Sequence, residues 1–139
     1  MPDRRRLRML TIQFDGACFG NPGPMGLGVA ILADGKVVKR ISESAGKGTN
    51  NIAEYSAALR GLEEARKLKA REVVVQGDSQ LVIRQLKGEW KVKEKHLQEL
   101  HAKIRKMEKE FLTVKYQWVR REQNTLADEL SKRGVEGKR

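Results

Sequence analysis

The chain contains five aspartates, and three of them, Asp15, Asp78 and Asp128, stand where a predicted element begins or ends. Of the other two, one falls in the N-terminal tail and Asp34 is explained by an Asp34-Gly35 hairpin. Glu54 adds a fourth acid in the first turn of a predicted helix. All four asparagines lie near these acids in sequence: Asn21 after Asp15, Asn50 and Asn51 before Glu54, Asn124 before Asp128. Each acid alone has an ordinary explanation. Asp15 can open a turn, Asp78 can cap a helix, Glu54 can favour a helix N-terminus, and Asp128 can pair with Lys132 at i,i+4. Brought together they would repel and raise one another's pKa, so a cluster of all four requires cations. Oxygen ligands without His or Cys select a hard ion, Mg²⁺ or Mn²⁺. Two such ions on a basic protein equip it for phosphodiester hydrolysis.

The elements decide whether the four acids meet. Leu10, Ile12 and Phe14 alternate with Thr11, Gln13 and Asp15, the period of a half-buried strand. Asp15 then sits at the strand's C-terminal end, just before glycines lead into a loop. A second strand is expected over 27–33 and a third over 36–44, joined by the hairpin as an antiparallel meander. Gly46 to Asn50 breaks that pattern. Ile52, Tyr55, Leu59, Leu62 and Leu68 then recur at helical spacing, with Thr49 or Asn50 as the cap. Val73-Val74-Val75 reads as a buried strand ending near Gly77, and Asp78-Ser79 as the start of a short helix with Leu81, Val82 and Leu86. Leu97, Leu100, Ile104, Met107 and Phe111 mark a longer helix whose stripe suits core packing. A fifth strand over 113–119 and a final helix over 124–133 complete a mixed sheet with helices against it. A right-handed crossover through the first helix would set the fourth strand parallel to the first. Asp15 and Asp78 would then share one end of the sheet.

The 139 residues suit a single domain, 1–139, with basic residues 1–8 and residues 134–139 expected as flexible tails. A formal charge of +11 and a pI near 10.0 favour a polyanionic partner, nucleic acid first. Cys18 is the single cysteine, which excludes an intramolecular disulfide framework and suits a reducing, cytoplasmic setting. No apolar run approaches the ~20 residues of a membrane span. The large share of Lys, Arg and Glu leans toward a thermophile source.

Four stretches in order carry a family resemblance: Asp15-Gly16-Ala17 with Asn21-Pro22-Gly23-Pro24, Thr49-Asn50-Asn51 with Glu54, Gly77-Asp78-Ser79, and Asn124 with Ala127-Asp128 and Leu130. In order and spacing they resemble ribonuclease H of type 1 over nearly the whole chain. The resemblance implies an α/β ribonuclease H-like fold, a five-stranded mixed sheet with three antiparallel strands followed by two parallel ones, flanked by helices. It also implies an endonuclease that cuts the RNA strand of an RNA–DNA hybrid, leaving 5′-phosphate and 3′-hydroxyl ends; a monomer is expected. Carried over by motif, Asp15 would bridge two Mg²⁺ ions, Mn²⁺ being an alternative. Asp128 would complete the position that activates water, and Glu54 and Asp78 would hold the ion at the leaving oxygen. Asn21, Asn50, Asn51 and Asn124 would contact the hybrid with backbone groups of Gly16, Ala17 and Cys18. Amides and peptide groups suit that task, since a 2′-hydroxyl both donates and accepts.

Two departures from the family pattern stand out. The basic, Trp-rich protrusion of many members is reduced to Trp90, Lys91, Lys93 and Lys95, which read either as a short handle for the DNA strand or as Trp90 packing at a helix turn with solvated lysines beside it. The loop before the last acid lacks the usual His, leaving Arg121 as its substitute and Arg120 as the next candidate. His96 and His101 are expected on the surface of the long helix. Both departures resemble the archaeal-like branch without the protrusion, whose members include some that also cut double-stranded RNA. Two other readings stay open: a non-catalytic hybrid- or RNA-binding module, and a DNA-directed nuclease of the same fold. Retention of all four acids speaks against the first, and the Thr49-Asn50-Asn51 segment against the second.

Overall fold

The computed structural model describes residues 8–137. Five strands, β1 (Met9–Cys18), β2 (Gly23–Ala33), β3 (Lys36–Gly48), β4 (Glu72–Gly77) and β5 (Thr113–Trp118), form one sheet in the order β3-β2-β1-β4-β5. β1, β2 and β3 are antiparallel, whereas β4 runs parallel to β1 and β5 parallel to β4. The helices are α1 (Asn50–Lys67), α2 (Gln80–Leu86), α3 (Lys95–Glu108) and α4 (Thr125–Val135), with a short 3₁₀ turn over Arg121–Gln123. The expected fold class and the parallel placement of β4 beside β1 are both present.

The alternation in β1 separates the two faces of the sheet. Leu10, Ile12 and Phe14 are fully buried toward the main core, each worth about 1.5–3 kcal/mol relative to exposure. On that face Gly61 of α1 lies directly against Ile12 and Val29. α3 packs on α1, with Leu97 and Ile104 buried. The opposite face carries Thr11, Gln13 and Asp15, and α4 crosses its upper part over β2 and β1. The close approach of α4 depends on Gly28, where a Cβ would fall 2.1 Å from the Ala127 carbonyl oxygen. No side chain could stand there without moving the helix.

Several boundaries differ from expectation. β1 does not turn after Asp15, because Gly16, Ala17 and Cys18 continue the ladder opposite Leu27, Gly26 and Met25. β3 likewise continues past the expected break at Gly46, pairing Gly48 with Gly23. Interstrand hydrogen bonding carried both extensions past residues that locally favour a turn. α4 continues to Val135, with Gly134 buried against β3, so residues 134 and 135 belong to the helix rather than to the expected tail, and residues 138 and 139 lie outside the described residues. Of the expected basic tail, all but Arg8 lies outside the described residues, and the Arg8 carbonyl accepts the Arg71 N–H at 2.9 Å. His101 is half-buried, its ring 6.4 Å from Tyr55, whereas His96 is exposed as expected.

Candidate active site

The ends of β1 and β4 and the start of α1 meet at one edge of the sheet. Asp15 closes the apolar run of β1, and Asp78 follows β4 directly. Ser79, not Asp78, caps α2 by accepting the Val82 N–H at 3.3 Å, which leaves the Asp78 carboxylate free for other partners. Thr49 caps α1 by accepting the Ile52 N–H at 3.2 Å. Glu54 therefore lies in the second turn of α1 rather than the first, too deep to serve the helix N-terminus. Gly16 allows this turn to rest on β1: a Cβ there would lie 2.3 Å from the Glu54 nitrogen. Strand register and one close backbone approach thus bring together acids 39 and 63 residues from Asp15.

One oxygen from each of Asp15, Glu54 and Asp78 lies within 4.8 Å of the other two. Asp15 and Glu54 are buried, only 6 % and 9 % exposed, and hydrogen-bonded to each other. Burial pushes the Asp15 carboxyl up to about 6, with Asp78 and Asp128 adding to the rise; hydrogen bonds from Glu54 and Ser131 oppose it. The Glu54 carboxyl is likewise raised well above its usual range, by burial first and then by the Asp15 charge. Its Oε2 is buried without a hydrogen-bond partner. A buried carboxylate oxygen without a partner, in a cluster of three carboxylates, is a donor that a cation would satisfy. The all-oxygen donor set fits a hard divalent ion.

Three further side chains hold these acids. Ser131 of α4 places Oγ 2.8 Å from Asp15 Oδ2. Asn124 donates Nδ2 to the Phe14 carbonyl at 2.9 Å and to Asp78 Oδ2 at 3.3 Å. Trp118 donates its indole N–H to the Asp78 carbonyl at 3.0 Å. Asn124 is fully buried, which corrects its expected place against the hybrid: it stands behind the carboxylates and orients one of them. Sequence reasoning missed Ser131 and Trp118. The hydrogen bonds that define them span 116 and 40 residues, and no local pattern marks either.

Asp128 does not join the three-acid cluster. Its carboxylate is ion-paired with Lys132 at 3.1 Å, one turn along α4, as helical spacing allows. It is close enough for its charge to raise Asp15. Arg120 and Arg121 are exposed around the 3₁₀ turn that precedes α4.

The remaining candidates surround the carboxylates. Asn21 Oδ1 accepts the Asn50 N–H at 3.1 Å, tying the β1–β2 loop to the first residue of α1. Gly16, Ala17 and Cys18 are half-buried, and Cys18 Sγ lies 3.2 Å from the Gly48 carbonyl oxygen. Asn51, Trp90, Lys91 and Lys93 line one groove of about 540 Å³, so residues far apart in sequence share a surface. Trp90 is 47 % exposed with the Arg84 guanidinium 5.1 Å from its ring. Gln85 accepts from the Tyr55 hydroxyl and donates to the Lys91 carbonyl at 3.1 Å, linking this segment to the residue after Glu54. Another cavity, about 620 Å³ around Arg105, Glu108 and Tyr116, contains none of these residues; the carboxylates define the site, not cavity size.

A family model described as reverse transcriptase-like matches residues 13–134. The bifunctional protein Rv2228c of Mycobacterium tuberculosis is 42 % identical over 124 residues, covering 88 % of this chain and 34 % of the relative. The chain thus spans about a third of that relative's length. Ribonuclease H1 of the halophilic archaeon Halobacterium salinarum superposes with a TM-score of 0.90 at 33 % identity, over 93 % of this chain and 98 % of the other. LC11 ribonuclease H1, solved with an RNA/DNA hybrid, gives a TM-score of 0.88 at 37 % identity, over 92 % and 97 %.

Proposed function

Because this chain belongs to the ribonuclease H family, we propose that it is an endoribonuclease hydrolysing the RNA strand of RNA–DNA hybrids with Mg²⁺, leaving 5′-phosphate and 3′-hydroxyl ends. The carrying observation is the Asp15–Glu54–Asp78 cluster, with its unpartnered Glu54 oxygen, on a chain of net charge +11. Asp15, Glu54 and Asp78 would hold a divalent cation, and Asp128, now paired with Lys132, would be the carboxylate available to a second one. Hard divalent ions supply charge stabilisation at the phosphate and a more acidic water. Trp118 and Asn124 fix the backbone and carboxylate of Asp78 so that little rearrangement remains for the reaction.

Asn21, Asn50 and Asn51, with the backbone of Gly16 to Cys18, read the 2′-hydroxyls of the RNA strand. Trp90 and Lys91 grip the DNA strand along the groove they share with Asn51. Only residues 87–94 separate α2 from α3, which supports placement in the archaeal-like branch without a large basic protrusion. Arg121 takes the place of the family His through charge alone, because a guanidinium does not titrate. One chain supplies all three clustered carboxylates, which supports action as a monomer, and the lone Cys18 suits the cytoplasm. Among the described residues no helix is long and apolar enough to cross a membrane.

End-labelled hybrid, duplex RNA and duplex DNA are incubated with the protein in Mg²⁺ or in EDTA. The expected result is cleavage of the hybrid's RNA strand in Mg²⁺ only. No cleavage of the hybrid in Mg²⁺, or cutting of duplex DNA, would overturn the proposal. The duplex RNA lane tests the wider substrate range of the branch.

A further inference from the structure

Ser131 belongs to no motif that marks the site, yet it is fully buried where α4 crosses the end of β1. Its Oγ lies 2.8 Å from Asp15 Oδ2 and 2.8 Å from the Asp128 carbonyl oxygen. A hydroxyl carries one proton, so it can donate to only one of these acceptors at a time. The Asp128 carbonyl lies three residues back on the same helix, and bonding to it would satisfy a serine of no functional importance. An ionised carboxylate is the stronger acceptor. With Asp15 charged, as cation binding requires, the proton belongs on the Asp15 side.

We propose that Ser131 is a positioning residue that fixes the Asp15 carboxylate for metal binding and sets the turn of α4 bearing Asp128 against it. One Asp15 oxygen is held from behind by a hydroxyl that cannot rotate into solvent. The carboxylate keeps an oxygen within 4.8 Å of Glu54 and Asp78 oxygens. Because the hydroxyl comes from the helix that carries Asp128, any sliding of α4 relative to β1 would break this hydrogen bond. This hydrogen bond thereby ties the Asp15 side chain directly to the helix that carries Asp128. This inference rests on the assignment of Asp15 as a metal ligand, and the test separates the two.

Mn²⁺ is titrated into the full chain without nucleic acid, with free ion followed by electron paramagnetic resonance, for wild type, Ser131→Ala and Ser131→Cys. Thermal midpoints in EDTA, and kcat and KM on hybrid at rising Mg²⁺, complete the comparison. Ser131→Ala is expected to weaken Mn²⁺ binding on the order of tenfold, the scale of one hydrogen bond to a charged group. Its EDTA midpoint is expected to fall modestly, because the hydroxyl also stabilises the buried Asp15 carboxylate and the helix propensity of Ala offsets only part of that loss. KM for hybrid should hold, and kcat should recover at high Mg²⁺. Ser131→Cys fills nearly the same space with a much weaker donor and is expected to show the same weakening. Wild-type Mn²⁺ affinity in Ser131→Ala would overturn the proposal, as would impairment confined to Ala with Cys normal, because packing would then be the cause. A wild-type protein that binds no Mn²⁺ would instead overturn the metal assignment of Asp15.

Discussion

Replacing Asp15 by Asn should make the metal-free protein more stable while abolishing cleavage. Asp15 is 6 % exposed, and burial among acids lifts its carboxyl from 3.8 to about 6. An acid whose folded pKa exceeds its unfolded one binds extra protons in the folded state between the two values. Stability is then lost as pH rises from about 4 to about 6, and the loss is complete above that. A shift of roughly two units corresponds to about 3 kcal/mol, an upper bound because Glu54 shares the same proton balance. Asn keeps the shape of Asp, accepts from Ser131 through Oδ1, and offers an amide N–H to Glu54, whose Oε2 has no partner. Asp15→Asn should therefore gain about 1–3 kcal/mol at pH 8 in EDTA, a thermal midpoint higher by up to about 10 °C. The gain should shrink to nothing near pH 4. Calorimetric melts at pH 4, 5, 6 and 8 in EDTA measure this directly, and added Mg²⁺ should then stabilise wild type but not the variant. Hybrid binding should persist, since affinity comes mainly from basic residues on phosphates. A variant less stable than wild type at pH 8, or a difference that does not shrink toward pH 4, would refute the reasoning.

Replacing Lys91, Lys93 and Lys95 together by Ala should weaken hybrid binding and flatten its salt dependence by up to about one slope unit for each phosphate no longer neutralised. An unchanged slope in fluorescence-anisotropy titrations would return these lysines to ordinary solvated surface. Arg121→Ala should lower kcat with Mg²⁺ dependence unchanged, and Arg121→Lys should restore activity in part, because charge survives but the guanidinium fork does not. Equal steady-state rates for Arg121→Ala and wild type would move that role to Arg120.

Much of the fold was legible because its signals are local. The two-residue alternation of Leu10, Ile12 and Phe14, the Asp34-Gly35 turn, whose residues both have positive φ, and the helical spacing of Ile52, Tyr55, Leu59 and Leu62 each depend on near neighbours. The ends of β1 and β3 were less legible. There the residues favour turns, and the partner strand decides instead, through hydrogen bonds whose register no single segment encodes.

The sequence by itself determined which acids this protein has, their order along the chain, the strand that carries Asp15 and the strand that Asp78 follows. It also determined that a strongly basic chain would surround them. Only the tertiary structure decided how those acids differ. Asp15 is buried because α4 crosses a sheet face opened by Gly28, and Glu54 because its turn rests on Gly16. Asp128, on the outer side of the same helix, stays paired with Lys132. Asn124 became a scaffold and Ser131 a partner of Asp15 through hydrogen bonds that span more than a hundred residues. Burial and the proximity of like charges are sums over all the elements packed around a group. They exist only when the elements are assembled, so the pKa of an acid and its fitness to hold a cation belong to the fold rather than to any stretch of chain.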